Sequence, residues 1–311
     1  MTASGPSKPR PPALAAVDLA VAFGLPLLCA IAWLLPERAW PGVARMLAPF
    51  QLRQLTGDAG AVAARIGRAL GSGQGGADSR ATLAALAAEN LIAQFAMLRA
   101  LRPGVADQPV ALEGRAHVDA ALGAGRGAVL WVGHFVHASL ATKRALSHAG
   151  YALSHLSHPR HGYSGSRFGM RSLNAIPRRA EDRYLAERVM RTPESALAAL
   201  RLLMSRLESN RLVSLTARAD GIRPVAARLF GAELALGSGA PDLAHATGAV
   251  LLPVFAWRAA GDYRVAVEPP IELAPGATRR AAAEAAAADY AARLERRIIA
   301  HPAQWLGWFD L

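Results

Sequence analysis

Cysteine occurs once in the 311 residues, at Cys29. A single thiol excludes an internal disulfide, a cysteine-rich zinc site and an iron–sulfur cluster. Lysine is nearly as scarce: of 35 basic residues only Lys8 and Lys143 are lysine, and the others are arginine. Aromatic residues make up 6 % of the chain. Acidic residues number 23, which leaves a formal charge of +12. Guanidinium stays charged at every physiological pH and grips phosphate in a bidentate fork. The charge therefore calls for anionic partners: phospholipid headgroups, phosphate-bearing substrates or nucleic acid. The arginines are scattered rather than striped, and the chain has no zinc-finger, RNP or helix-turn-helix signature, so no nucleic-acid partner is expected.

What the chain does have is apolar residue, 52 % of the total. Residues 1–13 are polar and proline-rich and read as a disordered amino terminus. From Leu14 to Leu35 the sequence is apolar except for Asp18. A helix over that stretch spans about 33 Å, enough for a hydrocarbon core of roughly 30 Å. Pro26 kinks such a helix without forbidding it. Trp33 and Trp40 stand near its far end, where amphipathic rings prefer an interface. Leu35-Pro36-Glu37-Arg38 offers no small-x-small cleavage site, so residues 14–36 are read as a membrane anchor rather than a signal peptide; the alternative, for which Asp18 argues, is a buried helix of the globular domain. Lys8 and Arg10 before it and Arg38 and Arg45 after it leave its orientation undecided.

Residues 37–108 read as helical, with apolar residues at helical spacing in Ala59–Leu70 and Thr82–Leu101, separated by the glycine-rich 71–76. From about residue 109 alternation takes over. Strands are predicted at Val110–Leu112, Ala128–Val132, Leu153–Leu156, Leu212–Leu215, Val225–Leu229, Val250–Phe255 and Tyr263–Val267. Helices are predicted at Ala116–Leu122, Ala138–Ala149, Glu194–Leu207, Ala240–Thr247 and Arg279–Ile299. Strands alternating with helices make residues 109–311 an α/β domain, a sheet with helices on both faces. His134, in Trp131-Val132-Gly133-His134-Phe135, follows a short β-rich run and precedes a helix. That is where α/β folds place their chemistry.

Several blocks, taken in order, make the chain resemble the late acyltransferases of lipid A biosynthesis (lauroyl and myristoyl transferases) and, through them, the broader glycerolipid acyltransferases. Gly237-Ser238-Gly239-Ala240-Pro241-Asp242-Leu243-Ala244-His245-Ala246-Thr247-Gly248-Ala249, running into Leu252-Pro253-Val254-Phe255, resembles the family's glycine-led helix, Thr-Gly-Ala turn and Pro-Val strand. Phe230-Gly231 fits the same block. His301-Pro302-Ala303-Gln304-Trp305 resembles its carboxyl-terminal His-Pro-x-x-Trp, Arg167-Phe168-Gly169 its middle arginine block, and Gly133-His134-Phe135 the start of its catalytic motif. The resemblance runs from about residue 14 to the end. It implies a mixed sheet flanked by helices, an amino-terminal membrane helix, and transfer of a fatty acyl chain to a lipid hydroxyl or amine. The donor implied is the thioester of acyl carrier protein or coenzyme A, with no cofactor beyond that co-substrate. The location implied is a bacterial-type inner (cytoplasmic) membrane, with the catalytic domain on the cytoplasmic side. Two departures stand out. The family's catalytic histidine is followed five residues later by Glu or Asp, and here that position is Ser139. An Asp near the end of the strand at Leu215 is replaced by Arg218.

Acyl transfer needs a base for the acceptor's proton, the role expected of His134, and a carboxylate to orient the ring and stabilise the imidazolium. Ser139 can fix a tautomer but cannot neutralise charge. Asp220, Asp119 and Glu113 are the candidate substitutes. Asp220 is preferred, because its strand should end on the same sheet edge as His134. Arg160, Arg167, Arg171, Arg178 and Arg179 are the candidate cations for an anionic ligand; Arg167 rests on the family block and the others on charge and position. An apolar groove beneath the sheet is expected to hold the acyl chain. His155, His158 and His161 recur every three residues, but Pro159 and Gly162 break helical geometry and no carboxylates cluster with them, so no metal site is expected. Two rival readings remain: a catalytically silent homologue that binds lipid or a partner enzyme, and an acyl-serine enzyme built on Ser139 with His134. A carboxylate beside His134 favours the first reading, an isolated imidazole the second, and a Ser139–His134 hydrogen bond the third.

Overall fold

A computed structural model describes residues 11–71, 79–192, 194–218 and 223–310. Four amino-terminal helices come first: α1 (Ala16–Leu34), α2 (Trp40–Leu55), α3 (Ala59–Leu70) and α4 (Ser79–Arg99). The α/β part follows as β1 (Val110–Glu113), α5 (Arg115–Gly123), β2 (Ala128–Val132), α6 (Ala138–His148), β3 (Leu153–Ser157), α7 (Ala175–Asp182), β4 (Glu187–Met190), α8 (Ala196–Glu208) and β5 (Leu212–Thr216). It continues as β6 (Pro224–Leu229), β7 (Ala232–Gly237), α9 (Gly239–Thr247), β8 (Val250–Ala259), β9 (Asp262–Val267) and α10 (Arg279–Ala300).

The main sheet has seven strands in the order β1-β9-β8-β2-β5-β3-β4. All neighbours are parallel except β8 and β9, so β1 and β9 run against the other five. β2 lies centrally, and all five of its residues are buried. A strand covered on both faces has no polar alternation, and Ala128-Val129-Leu130-Trp131-Val132 shows none. The expected mixed sheet flanked by helices is therefore what forms. β6 and β7 form a separate antiparallel hairpin. Three elements were not anticipated: α7, β4 and β7. α7 carries the charged run Arg178-Arg179-Ala180-Glu181-Asp182, and β4 is the short Glu187-Arg188-Val189-Met190; the apolar pattern of both is too thin to read. β7 ends at Gly237, which the sequence assigns to the start of the next helix.

α4 is long and apolar enough to cross a membrane, but ten of its residues are buried against the rest of the molecule, which makes it a core helix. α1 is different. Its mean hydropathy is higher and little of it is covered. Phe23 (83 % exposed), Leu27 and Leu34 point outward, and Met46 and Phe50 of α2 are also exposed. Both ends of α1 are fastened to the globular part. Near its start, Asp18 is fully buried and accepts hydrogen bonds from the Ala15 amide and from Ser166 Oγ, each at 2.6 Å. Gly169 makes that approach possible, since a Cβ there would collide with Ser164 and Asp18. Toward its end, Trp33 Nε1 donates to the Leu98 carbonyl and Arg99 donates to the Ala32 carbonyl, both at 2.9 Å. The charge inside the apolar run is thus a tether to the loop before α7. Of the start read as disordered, 1–13, residues 1–10 lie outside the described residues, as do 72–76 of the glycine-rich joint, whereas Pro12 and Ala13 are held by the Arg167 and Phe168 amides, which donate to their carbonyls.

Candidate active site

His134 sits one residue beyond Gly133 at the carboxyl end of β2. The turn is held from three sides. The Gly133 amide donates to the Val254 carbonyl of β8 at 2.8 Å, and the Ala217 amide donates to the Val132 carbonyl at 2.8 Å. On the third side the carboxyl-terminal segment packs in. The Leu306 amide donates to the His134 carbonyl at 3.0 Å, the Val136 amide to the Gln304 carbonyl at 2.8 Å, and Phe135 bridges Trp305. Gly133 is required because a Cβ there would lie 2.8 Å from the Phe255 ring. The His-Pro-x-x-Trp ending is therefore the buttress of the histidine turn, and it carries Asp310 toward the ring.

The imidazole has a charged neighbour on each side. Arg218 Nη1 lies 3.3 Å from His134 Nε2. A guanidinium is only ever a donor, so Nε2 presents its lone pair to Arg218 and the ring proton resides on Nδ1. Nδ1 is buried with no hydrogen-bond partner, and among the described residues Asp310 brings a carboxylate oxygen, Oδ2, to 3.9 Å. Burial, then the Arg218 guanidinium, then His161 push the His134 pKa down to about 3. About a fifth of the side chain remains accessible, and it faces a cavity of about 140 Å³. Small-molecule sites generally occupy roughly 300–1,000 Å³, so this cavity is small beside a whole acyl chain. It opens at the carboxyl ends of β2 and β5 rather than beneath the sheet, where a groove was expected.

Ser139 lines the same cavity but does not bond to His134. Its Oγ donates to Glu181 Oε1 at 2.5 Å. Glu181, on α7, is fully buried and gathers three more partners: Arg188 Nη2 at 2.7 Å, His161 Nε2 at 2.9 Å and Lys143 Nζ at 3.1 Å. Burial alone would raise its carboxyl pKa, but Lys143, His161 and Arg188 hold it well below the usual carboxylate range. Glu181 of the neighbouring helix thus fixes the cavity wall by holding Ser139, Lys143 and His161. The acyl-serine reading required a Ser139–His134 hydrogen bond, and the Ser139 proton is committed elsewhere. Among the described residues the carboxylate beside His134 is that of Asp310, a residue the sequence alone gave no reason to single out; it stands at 3.9 Å without a hydrogen bond to the ring.

The remaining candidates fall as follows. Asp220 lies outside the described residues. Its strand, β5, does end beside His134, since Val132 pairs with Thr216. Glu113 and Asp119 belong to the opposite end of the sheet, because β1 runs against β2. Glu113 pairs with Arg264 at 3.3 Å, and Asp119 pairs with Arg115 at 3.5 Å. Arg160, Arg167, Arg171 and Arg178 do not line the cavity; its guanidinium is that of Arg218. Arg178 donates to the Met170 carbonyl at 3.0 Å. Arg160, Arg167, Arg171 and Arg179 are exposed, and the Arg167 amide donates to the Pro12 carbonyl, just before α1. His155 faces Ser214 Oγ at 2.9 Å, His158 accepts from the Arg160 amide and His161 bonds to Glu181, so the three histidines do not converge. His137 pairs with Glu89 of α4 at 2.7 Å, and Arg258 of β8 grips the same carboxylate at 2.8 Å. His137 thus ties the helical region to the start of α6.

The motif histidine and Leu306 of the buttressing carboxyl terminus line the cavity, while the Pro-Val strand β8 pairs with β2 and the glycine-led α9 packs against β2. Comparison with curated proteins finds no match. The sequence model for bacterial lipid A biosynthesis acyltransferases matches residues 80–310, a span that takes in α4, the whole α/β domain and Asp310. The chain belongs to that family and is an acyltransferase of lipid biosynthesis.

Proposed function

We propose that this protein moves a fatty acyl chain from the thioester of acyl carrier protein or coenzyme A onto a hydroxyl or amine of a membrane lipid, with His134 as the base. The observation that carries the assignment is the ring's setting: Nε2 reaches the cavity, while Nδ1 faces Asp310 at 3.9 Å. His134 Nε2 takes the acceptor proton as the acceptor oxygen or nitrogen attacks the thioester carbonyl. The imidazolium then returns the proton to the departing thiolate. Asp310 is the carboxylate that holds the Nδ1–H tautomer and stabilises the imidazolium, a contact that tightens when substrate fills the cavity. Ser139 shapes the wall through Glu181 and takes no proton.

The membrane side of this reading rests on the apolar face of α1 and α2. Because both ends of α1 are tied to the same globular body, the helix lies along one leaflet rather than crossing it. Phe23, Leu27, Leu34, Met46 and Phe50 enter the acyl region. The loop 158–168 joins that face to the site, with His161 on the cavity and Ser166 on Asp18. Arg160, Arg167 and Arg171, exposed on this loop and the π-helical turn Gly169–Leu173, meet anionic headgroups there. The inner membrane, with the catalytic domain on its cytoplasmic side, is the location that gives such a site access to both thioester donors.

The test is mass spectrometry of total lipids from cells with the gene, without it, and with His134→Ala, followed by transfer assays with acyl carrier protein and coenzyme A thioesters. A lipid acylated only when His134 is intact is the expected result. A lipid profile indifferent to His134 overturns the assignment.

A further inference from the structure

Among the described residues no hydrogen bond holds the side of the His134 ring that faces away from the acceptor: Nδ1 has no partner, and Asp310 stands at 3.9 Å. The angle of the ring is therefore set through its backbone. β2 ends at Val132, paired with Val254, so that the chain can turn toward His134, but β8 runs on to Ala259. At Arg258 of β8 there is no β2 residue left to pair. The side chain of Gln304 takes that place. The Arg258 amide donates to Gln304 Oε1 at 2.8 Å, and Gln304 Nε2 donates to the Arg258 carbonyl at 2.7 Å. The Gln304 carbonyl in turn accepts from the Val136 amide at 2.8 Å. The Arg258 side chain reaches Glu89 of α4, with Nη2 on Oε1 at 2.8 Å and Nε on Oε2 at 3.2 Å. The same carboxylate accepts from His137 Nε2 at 2.7 Å. Since His137 follows Val136, these bonds close into a ring: Glu89, His137, Val136, Gln304, Arg258 and back to Glu89. His137 and Gln304 are both buried, so water does not readily replace a bond lost there.

We propose that Glu89 is a positioning residue for acyl transfer: it closes the ring of bonds that fixes Val136 and His137, and through them the angle at which His134 Nε2 meets the acceptor. Glu89 comes from α4, outside the sheet and outside every block of the sequence that marks the site. Its role needs a carboxylate. Two oxygens must accept from an imidazole N–H and a guanidinium fork at once, whereas an amide has one accepting oxygen and turns a donor toward the guanidinium. The leverage follows from where the ring sits. Val136 is two residues from His134, and a shift of about 1 Å in a reacting group costs on the order of 10²-fold in rate. The clamp also reaches both flanks of the turn, His137 directly and Val136 by way of Arg258 and Gln304, so neither flank can move without the other.

This inference rests on His134 being the base, and separate measurements decide the two. The full chain in dodecyl maltoside micelles is given lauroyl-coenzyme A or the lauroyl thioester of acyl carrier protein as donor, and total lipid from cells lacking the gene as acceptor. Glu89→Gln and Gln304→Met open the ring of bonds at different places. Each should lower kcat by about 10- to 100-fold and leave KM for the donor within about threefold. The double variant should be no slower than the slower single one, because a ring already open cannot open again. In the His134→Ala background neither substitution should change the residual rate. Isotopic labelling of the histidines gives a second readout that needs no turnover. The His134 NMR resonance, assigned by its loss in His134→Gln, should be single in the parent and broadened or doubled in both variants. Glu113→Gln, at the far end of the sheet, should leave it unchanged. Circular dichroism on heating sets a temperature at which each variant is folded; if Glu89→Gln has none, Gln304→Met alone decides through its kcat, its KM and its His134 resonance. Losses that multiply in the double variant, or a His134 resonance unaltered in the folded variants, overturn the proposal and leave Glu89 a structural ion pair. Activity indifferent to His134→Ala overturns the base assignment, and this proposal with it.

Discussion

Ser139 Oγ donates to Glu181 Oε1 at 2.5 Å across the gap between α6 and α7. The position five residues after the motif histidine thus still touches a carboxylate, supplied by a different helix and bound to Lys143, Arg188 and His161 as well. Breaking one member of a buried charge cluster strands the rest. Glu181→Ala should lower stability by about 3–5 kcal/mol, because it leaves Lys143 buried and unpaired. Glu181→Met combined with Lys143→Met should recover much of that loss. Chemical denaturation of the parent, the single and the double variants checks this.

The same geometry sets the outcome of restoring the motif acid. Ser139→Glu would bring a second carboxylate against Glu181, and two like charges in one buried site repel. The variant should fold less stably than the parent and should not gain activity. Pairing it with Glu181→Ser, which exchanges the two residues, should relieve the repulsion. Thermal unfolding and acyl transfer measured side by side on the single and exchanged variants decide it.

Asp310→Asn should lower the chemical step by up to about 10⁴-fold if the carboxylate supports the imidazolium as in a His–Asp pair, while leaving thermal unfolding unchanged, since Asp310 lies at the surface. Asp220→Asn is the parallel variant. If it is the costlier of the two, the ring's carboxylate partner comes from beyond β5 instead.

Phe23→Ser with Leu27→Ser should release the protein from membranes into the high-salt wash while leaving its fold intact, because both side chains point away from the body. Deleting residues 1–36, by contrast, also removes Asp18 from Ser166 and Ala32 from the core. It should yield a destabilised protein rather than a cleanly released one. Sedimentation after salt and carbonate extraction, alongside circular dichroism, separates the two effects.

Acid should destabilise the fold in two stages. His134, His155 and His137 have folded-state pKa values below the ordinary 6.5, each chiefly through burial. The unfolded chain therefore binds their protons first, and stability falls as pH drops below about 6.5, by up to about 1.4 kcal/mol per pH unit for each such group. Glu181 is depressed below its ordinary 4.5; its contribution is full above that value and is lost as pH falls toward its folded pKa. Urea midpoints from pH 7.5 to 4 should decline, and His134→Gln should make the upper part of that decline shallower. A midpoint flat across that range would contradict the depressed histidines.

Sequence alone was enough to draw six of the seven strands of the main sheet, all but β4, and the position of the histidine turn. Ala128–Val132, between Gly127 and Gly133, and Val250–Phe255, after Gly248-Ala249, are apolar runs, and local pattern reports local hydrogen bonding. It also marked Leu14–Leu35 as an apolar helix and His134 as the residue to watch, since a strand-to-helix turn is a short-range feature. What only the tertiary structure decided is which residues surround that histidine. Asp310 and Arg218 are 176 and 84 positions away in sequence. They meet the ring because the carboxyl terminus folds back against Phe135 and because β5 pairs in parallel with β2. Glu181 escaped notice for a related reason. Two adjacent acids among arginines, Glu181 and Asp182, have no periodic signal, and the burial of Glu181 is set by its neighbours on α6 and β4, Lys143 and Arg188. Asp18 looked like a flaw in a membrane helix until Ser166, 148 positions on, gave it a partner. Periodicity is written by neighbours along the chain, whereas a site's electrostatics is written by neighbours in space, and only folding makes the two lists one.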